Sequence, residues 1–258
     1  QTTEGYPILM LCIGWIFLLN WLAFIPAYAF QTEKFYDITG SFSYISAGIL
    51  AYLLSDAVDG RAMLLLGLVV IWASRLGSFL LRRILRDGKD DRFDAIKPNF
   101  FRFLNAWTLQ ALWVTLTAIP AFIAITTEHR AAIGVIAIFG SIVWLIGFII
   151  EVVADQQKTQ FRKNPDNKEK FIKSGLWARS RHPNYFGEIV LWIGVTIIAV
   201  PVLQGWQWVA LISPIFVTLL LTKVSGVPML EAKAKKKWGG QEDFEKYKKE
   251  TPVLIPKL

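Results

Sequence analysis

The sequence predicts an all-α fold, a polytopic membrane helical bundle of about seven transmembrane helices. Three observations predict it. Hydrophobic residues make up 54% of the 258 positions, and the mean hydropathy is +0.42. Several apolar runs are long enough to cross a bilayer as helices. The 11 Trp and seven Tyr suit the membrane–water interface. We expect one integral membrane domain covering residues 1–258.

Apolar runs separated by polar connectors mark the individual spans. The predicted spans cover roughly residues 7–30, 41–55, 61–82, 103–126, 131–154, 187–203 and 206–223. The first run ends near "AYA", which resembles a secretory cleavage site, but no basic residue precedes it. We therefore interpret it as a retained helix.

Charge patterning orients these spans in the membrane. The hydrophilic stretches 83–102, 155–186 and 224–258 fall on one side and carry most of the Lys and Arg. Because basic loops favour the cytosolic side, the tail 224–258 is predicted to be cytosolic and the N-terminus outside or lumenal. A bacterial inner membrane and the endoplasmic reticulum both fit this pattern.

The net charge of +8 indicates a lipid bilayer as partner rather than nucleic acid, because the basic residues lie in connectors between apolar spans. Cys12 is the only cysteine, so one chain forms no disulfide framework. The histidines are His129 and His182, and no Cys/His cluster has metal-ligand spacing. No metal site is predicted.

Ionisable residues follow the fifth apolar run, in "FIIEVVADQQKTQFRK". Glu151 and Asp155 are four residues apart, and Arg162 lies seven beyond Asp155, so a continuing helix places all three on one face. Two interpretations stay open. The residues are an intramembrane ion pair with interfacial neighbours, or one wall of a ligand site in which Arg162 receives phosphate.

A second polar group begins the sixth run, in "ARSRHPNYFGEIVLWIG". Pro183 is suited to the first turn of a helix, whose N–H groups can bind an anion. Asn184 and Glu188 are four apart on a common face, beside His182 and Tyr185. These residues either mark a helix start or form a second wall of a ligand site.

The tail predicts a basic helix closed by Gly239-Gly240 and followed by a second short helix. Basic helices that carry Trp lie on anionic membrane surfaces. Alternatively, Glu231 and Tyr247 fold with the tail over the cytosolic pocket as a lid.

The block from Glu151 to Gly194 and the tail "FEKYKKETPVLIP" resemble steroid 5-alpha-reductase-like membrane proteins. The stretches "EKFYDITGSFSYI" and "RLGSFLLRRILRDGKDDRFD" indicate a bacterial-type branch of uncharacterised function. The resemblance implies a helical bundle that holds NADPH in a pocket facing the cytosol. It implies that the residues at cofactor-binding positions are Glu151, Asp155, Arg162, Asn184, Glu188 and Tyr247.

The chain departs from that family in its second and third spans. The Gln–Glu pair that engages a steroid ketone is absent, and Trp72 stands near the place of the usual proton-donating Tyr. Because phenols act as general acids, Tyr36 or Tyr44 is the predicted catalytic proton donor.

The same block also resembles isoprenylcysteine carboxyl methyltransferases and phospholipid methyltransferases. That likeness rests on "RHPNY", on Glu231 and on "YKKETPVLIP". It implies S-adenosylmethionine as cofactor, bound by the turn that contains His182 and Tyr185 and by Glu231 in the tail.

The leading hypothesis is an NADPH-dependent membrane oxidoreductase of lipid metabolism that reduces a carbon–carbon double bond in a lipophilic, steroid-, sterol- or lipid-like substrate. The alternatives are an S-adenosylmethionine-dependent methyltransferase of a lipid or lipidated substrate, and a non-enzymatic subunit of a larger membrane complex that keeps this scaffold.

Overall fold

The structure is a computed structural model that describes residues 6–56 and 58–257. In these residues 78% of the chain is helical and no strand occurs, so the all-α prediction is confirmed. The α-helices of this described part are α1 Tyr6–Ala29, α2 Tyr36–Leu54, α3 Gly60–Asp87, α4 Phe100–Thr126, α5 Val135–Lys163, α6 Pro183–Ala199, α7 Ile212–Leu219, α8 Gly226–Trp238 and α9 Glu242–Glu250.

Six helical segments of the described chain are long and apolar enough to cross a membrane. They are Pro7–Ala29, Gly60–Asp87, Phe100–Thr126, Val135–Lys163, Pro183–Val202 and Gly205–Trp238. The predicted second span forms α2 but is not among them, so the count is one lower than expected. Its Asp, Thr and Ser residues lower its hydropathy; they are Asp37, Thr39, Ser41, Ser43, Ser46 and Ser55 at its end.

The chain divides into two compact units. Unit 1 comprises Gln1–Ala137 and Ile198–Ser213, and unit 2 comprises Ile138–Ile197 and Pro214–Leu258. Each unit therefore joins two separate stretches of sequence. The candidate site residues from Glu151 to Tyr247 belong to unit 2, and both candidate proton donors belong to unit 1.

In unit 1, the two motifs that indicated the bacterial-type branch lie against each other. Glu33, 4% exposed, accepts hydrogen bonds from the Lys97 Nζ at 2.5 Å and from the backbone N–H of Asp90 at 2.7 Å. Asp37 pairs with Arg83 at 3.3 Å. These contacts fix the connector between α3 and α4 onto the start of α2, which gives the "EKFYD" and "RDGKDD" motifs a structural role.

In unit 2, α5 and α6 pack with their backbones in direct contact. A Cβ placed on Gly187 would lie 2.6 Å from both the Glu151 N and the Gly147 O, and one on Gly194 would lie 2.5 Å from the Trp144 N. Only glycine permits this approach, which is typical of helix pairs in membranes. The contact sets Glu151 of α5 beside the first turns of α6.

The loop between α5 and α6 is fastened on both sides within unit 2. Its Trp177 Nε1 donates to the Ala154 O of α5 at 3.0 Å. Its Arg181 N donates to the Pro252 O of the tail at 2.9 Å. The tail forms the two predicted helices, α8 and α9, with Gly239 as the C-cap of α8. Loop, tail and α5 thus surround the start of α6.

Candidate cofactor site

Four polar side chains of α5 and the start of α6 are almost withdrawn from solvent. They are Glu151, Asp155, His182 and Glu188, with exposures of 2%, 6%, 4% and 9%. Helix α5 runs unbroken to Lys163, so Glu151, Asp155 and Arg162 share one helix as predicted. Helix α6 begins at Pro183, as predicted. Burying several ionisable side chains costs free energy unless they are paired or hydrogen-bonded. A cluster of such residues in a membrane protein therefore indicates a functional site.

Glu231 of α8 joins two consecutive residues that precede α6. Its Oε1 lies 2.9 Å from the His182 Nε2, and its Oε2 lies 2.5 Å from the Arg181 Nη1. One carboxylate thereby accepts hydrogen bonds from two side chains across a separation of about fifty residues in sequence. The contact connects the tail to the start of α6.

His182 is neutral in this environment. Burial lowers its pKa, and the positive charges of Lys158 and Arg181 lower it further, although the hydrogen bond to Glu231 opposes the shift. Because a carboxylate only accepts hydrogen bonds, the proton of the neutral ring is assigned to Nε2. The Nδ1 atom of His182 is then a hydrogen-bond acceptor.

Three buried polar atoms at this place make no hydrogen bond to any residue in 6–56 or 58–257. They are His182 Nδ1, Asn184 Oδ1 and Arg181 Nε. Buried polar groups without partners are uncommon in folded proteins, and such groups usually form hydrogen bonds to a bound ligand or to water. Two acceptors and one cationic donor suit a ligand that presents both hydroxyl or amide donors and an anionic group.

Tyr185 packs against the His182 ring and against the start of α8. Its ring stacks on His182 with ring centroids 5.7 Å apart and an angle of 8° between the planes. A Cβ on Gly226 would approach the Tyr185 ring to 2.7 Å, so α8 begins directly against it. Tyr185 therefore fixes the orientation of the His182 ring.

Arg162 and Tyr247 lie at the polar margin of unit 2. Arg162 is exposed in the last turn of α5, where a basic side chain is accessible to a phosphate. The Tyr247 hydroxyl donates to the Trp177 O at 2.7 Å, and burial raises its pKa to about 12. The hydroxyl is thus protonated and occupied by the protein.

Sequence reasoning missed two cations of this region, Arg181 and Lys158. Arg181 immediately precedes His182, and Lys158 lies three residues beyond Asp155 on the same helix. The Lys158 Nζ is 4.5 Å from the Trp177 ring centroid. The spacing of three residues from Asp155 could have identified Lys158, because residues three or four apart are neighbours on a helix surface.

The candidate proton donors Tyr36 and Tyr44 both lie within unit 1. The Tyr36 hydroxyl donates to the Ala106 O at 3.0 Å. Tyr44 is 5% exposed and meets the Trp72 ring edge-on at 5.1 Å. Their catalytic role stays a prediction.

Unit 1 also contains a cavity of about 600 Å³ between α1, α2 and α3. Apolar side chains such as Ile38, Phe42 and Ile45 line it, together with the hydroxyls of Thr39 and Ser41. Its volume and lining suit a lipophilic small molecule.

Comparisons with known proteins place the chain in a family. Residues 23–251 match the family described as protein of unknown function DUF1295. The chain belongs to the DUF1295 family. This family includes steroid 5-alpha-reductases, so the resemblance that the sequence indicated is confirmed. No solved structure gives a significant match to the chain.

Named relatives of this DUF1295 protein match over part of their length. A 3-oxo-5-alpha-steroid 4-dehydrogenase 1 of Bos taurus is 30% identical over 46% of this chain and 41% of its own length. The same-named protein of Macaca fascicularis is 31% identical over 61% of this chain and 48% of its own. Steroid 5-alpha-reductase DET2 of Gossypium hirsutum is 28% identical over 45% of this chain and 40% of its own length. The chain spans less than half the length of each of these relatives.

Proposed function

We propose that this protein is a membrane oxidoreductase that uses NADPH to reduce a carbon–carbon double bond in a lipophilic, steroid-, sterol- or lipid-like substrate. The observation that carries the proposal is a pair of buried acceptor atoms, His182 Nδ1 and Asn184 Oδ1, beside the cation Arg181; neither atom has a hydrogen-bond partner in the part of the chain that the structure describes. Relatives named as steroid reductases support the reaction class.

The residues of unit 2 fit the groups of a phosphorylated dinucleotide. Asn184 and His182 accept from amide or hydroxyl donors, while Arg162 and Arg181 attract phosphate. Glu231 holds His182 and Arg181 in place. When bound, NADPH supplies the hydride; the protein binds, orients and excludes water.

The substrate class rests on unit 1 and on the bilayer. A lipophilic substrate partitions into the membrane that the six spans cross, and the cavity of about 600 Å³ has room for a molecule of steroid size. Tyr36 or Tyr44 is the proposed proton donor, since a neutral phenol can protonate the carbon that does not receive hydride.

Ligand-dependent thermal unfolding of the purified full chain tests the proposal. A ligand that binds only the folded state raises the unfolding midpoint, and the shift grows with the ratio of ligand concentration to its dissociation constant. We expect a shift with NADPH, and an affinity for NADPH reduced about tenfold or more in N184A because a buried hydrogen bond is lost. N105A, at an exposed asparagine of α4, is the matched control and keeps the affinity. An affinity equal in N184A and N105A would contradict the site.

The His182–Glu231 contact favours a second function, an S-adenosylmethionine-dependent methyltransferase of a lipid or lipidated substrate. In that case His182, Tyr185 and Glu231 bind the cofactor. A shift with S-adenosylmethionine and none with NADPH would overturn the reductase proposal. No shift with either, together with stable co-purification of a membrane complex, would instead indicate a non-enzymatic subunit.

A further inference from the structure

Helix α8 has an outer face that carries positive charge and no carboxylate. Its four lysines, Lys233, Lys235, Lys236 and Lys237, are all exposed. Glu231, the one acidic residue of α8, points instead to Arg181 and His182 and is only 27% exposed. Because the Glu231 carboxylate contacts Arg181 and His182, α8 has no negative charge of its own to balance the lysines on its outer face.

Most of these lysines also lack an acidic partner elsewhere. Lys237 pairs with Glu169 at 3.2 Å. Lys233, Lys235 and Lys236 form no ion pair with any residue in the described ranges 6–56 and 58–257. Like charges so close together repel each other, and an anionic partner relieves that repulsion.

The helix changes from apolar to basic along its length. Val224, two residues before the start of α8, is 68% exposed, and Met229 in the first turn of α8 is 38% exposed. The lysines follow one to two turns later, and Trp238 ends the helix. This order matches the passage from acyl chains to headgroups at a membrane surface, and α8 forms the C-terminal end of the candidate span Gly205–Trp238.

Helix α9 shows that this pattern is not general to the tail. It carries three lysines, but they are mixed with four acidic residues, Glu242, Asp243, Glu245 and Glu250. Lys248 pairs with Glu245 at 3.5 Å. Charges of both signs on α9 give no net attraction to an anionic surface.

From these observations we propose that the outer face of α8 binds the headgroups of anionic phospholipids in the membrane that the protein spans. A cluster of lysines immediately beside a membrane span is attracted to negatively charged lipid surfaces. The exposed Val224 and Met229 favour lipid over an acidic soluble protein, because a soluble partner leaves them in water. The surface is independent of which cofactor unit 2 binds.

Lipid retention by the purified full chain tests the proposal. The chain is incubated with mixed phosphatidylglycerol and phosphatidylcholine, and native mass spectrometry measures the ratio retained. K233Q/K235Q/K236Q is expected to lower the preference for phosphatidylglycerol about tenfold or more, because each lysine contributes to attraction. K246Q/K248Q/K249Q removes the same charge from α9 and is expected to keep the preference.

Two further measurements separate the alternatives. Substitution of the three α8 lysines by arginine keeps the charge and is expected to keep the preference, and added salt lowers it in the unaltered protein. An equal loss in the α8 and α9 variants would overturn the proposal, because net charge alone would then explain retention. Binding of poly-glutamate by the α8 face without a phosphatidylglycerol preference would also overturn it and indicate an acidic protein partner.

Discussion

His182 and Glu231, 49 residues apart in sequence, are joined by a hydrogen bond of 2.9 Å between Nε2 and Oε1. The bond links the residue before α6 to the middle of α8, and Arg181 joins the same carboxylate at 2.5 Å. The start of α6 is therefore held by the tail. Two acceptor atoms lie at this start of α6, His182 Nδ1 and Asn184 Oδ1, and neither accepts a hydrogen bond from the described residues.

Removal of the Glu231 carboxylate should destabilise the fold. E231A leaves Arg181 and His182, which are 12% and 5% exposed, without their shared partner. Breaking a largely buried pair in this way costs about 2–4 kcal/mol. E169A, which breaks the exposed pair with Lys237, is the control and should cost less than about 1 kcal/mol. Thermal unfolding of both variants measures the difference, and equal losses would contradict this role.

Stability should fall in mild acid because of His182. Its pKa in the folded state is below the ordinary value of about 6.5, so the unfolded chain takes up the proton first. The stability contributed by the neutral ring is complete above about pH 6.5 and is lost as the pH falls through the lowered pKa. Unfolding midpoints measured across this range should decline in the unaltered protein.

Two histidine variants control this pH profile. H182Q removes the titrating group and should flatten the decline in this range. H129Q alters an exposed histidine in the loop after α4 and should leave the decline in place. If H182Q keeps the full decline, another group is responsible.

The helices were predictable because the bilayer forces backbone groups to pair internally. Long apolar runs had to be helical, and Pro183 and Gly239 gave the start of α6 and the end of α8. The prediction exceeded the candidate spans by one because α2 is helical without being strongly apolar. Hydropathy thus locates helices well and counts membrane crossings less well.

The residues of the candidate site were predictable only where one helix carries them. Spacing alone placed Glu151 and Asp155 on one face of α5. The partner of Glu231 depends on the path of the loop and the tail, which local patterns do not specify. For this reason Arg181, one of several basic residues in the loop, was not distinguished from its neighbours by sequence.

The glycine contact between α5 and α6 should not tolerate a methyl group. In G187A the new Cβ would lie 2.6 Å from two backbone atoms, which cannot rotate away. The helices must separate, at a cost of about 1–3 kcal/mol. G67A, in α3, meets no atom within 4 Å and should gain about 0.5–1 kcal/mol from its better helix propensity. If G187A and G67A changed the free energy of unfolding in the same direction, that result would contradict the close packing of α5 and α6.

The role of Tyr247 can be decided by removing its hydroxyl. That hydroxyl donates to the Trp177 O at 2.7 Å, so Y247F leaves a buried carbonyl without its partner. We expect a loss of about 1–2 kcal/mol in the free energy of unfolding. Y52F is the control, because the Tyr52 hydroxyl makes no hydrogen bond to the described residues, and its stability should be unchanged.

Measurement of NADPH affinity on the same Y247F sample separates the two roles of Tyr247. If the hydroxyl only holds Trp177, the loss of binding free energy for NADPH should be no larger than the loss in the free energy of unfolding. Both losses would then come from the same loosening of the loop that contains Trp177. A loss of NADPH affinity with unchanged stability would mean instead that Tyr247 touches the cofactor directly, as its place in the family motif implies. The hydrogen bond to Trp177 leads us to expect the first result.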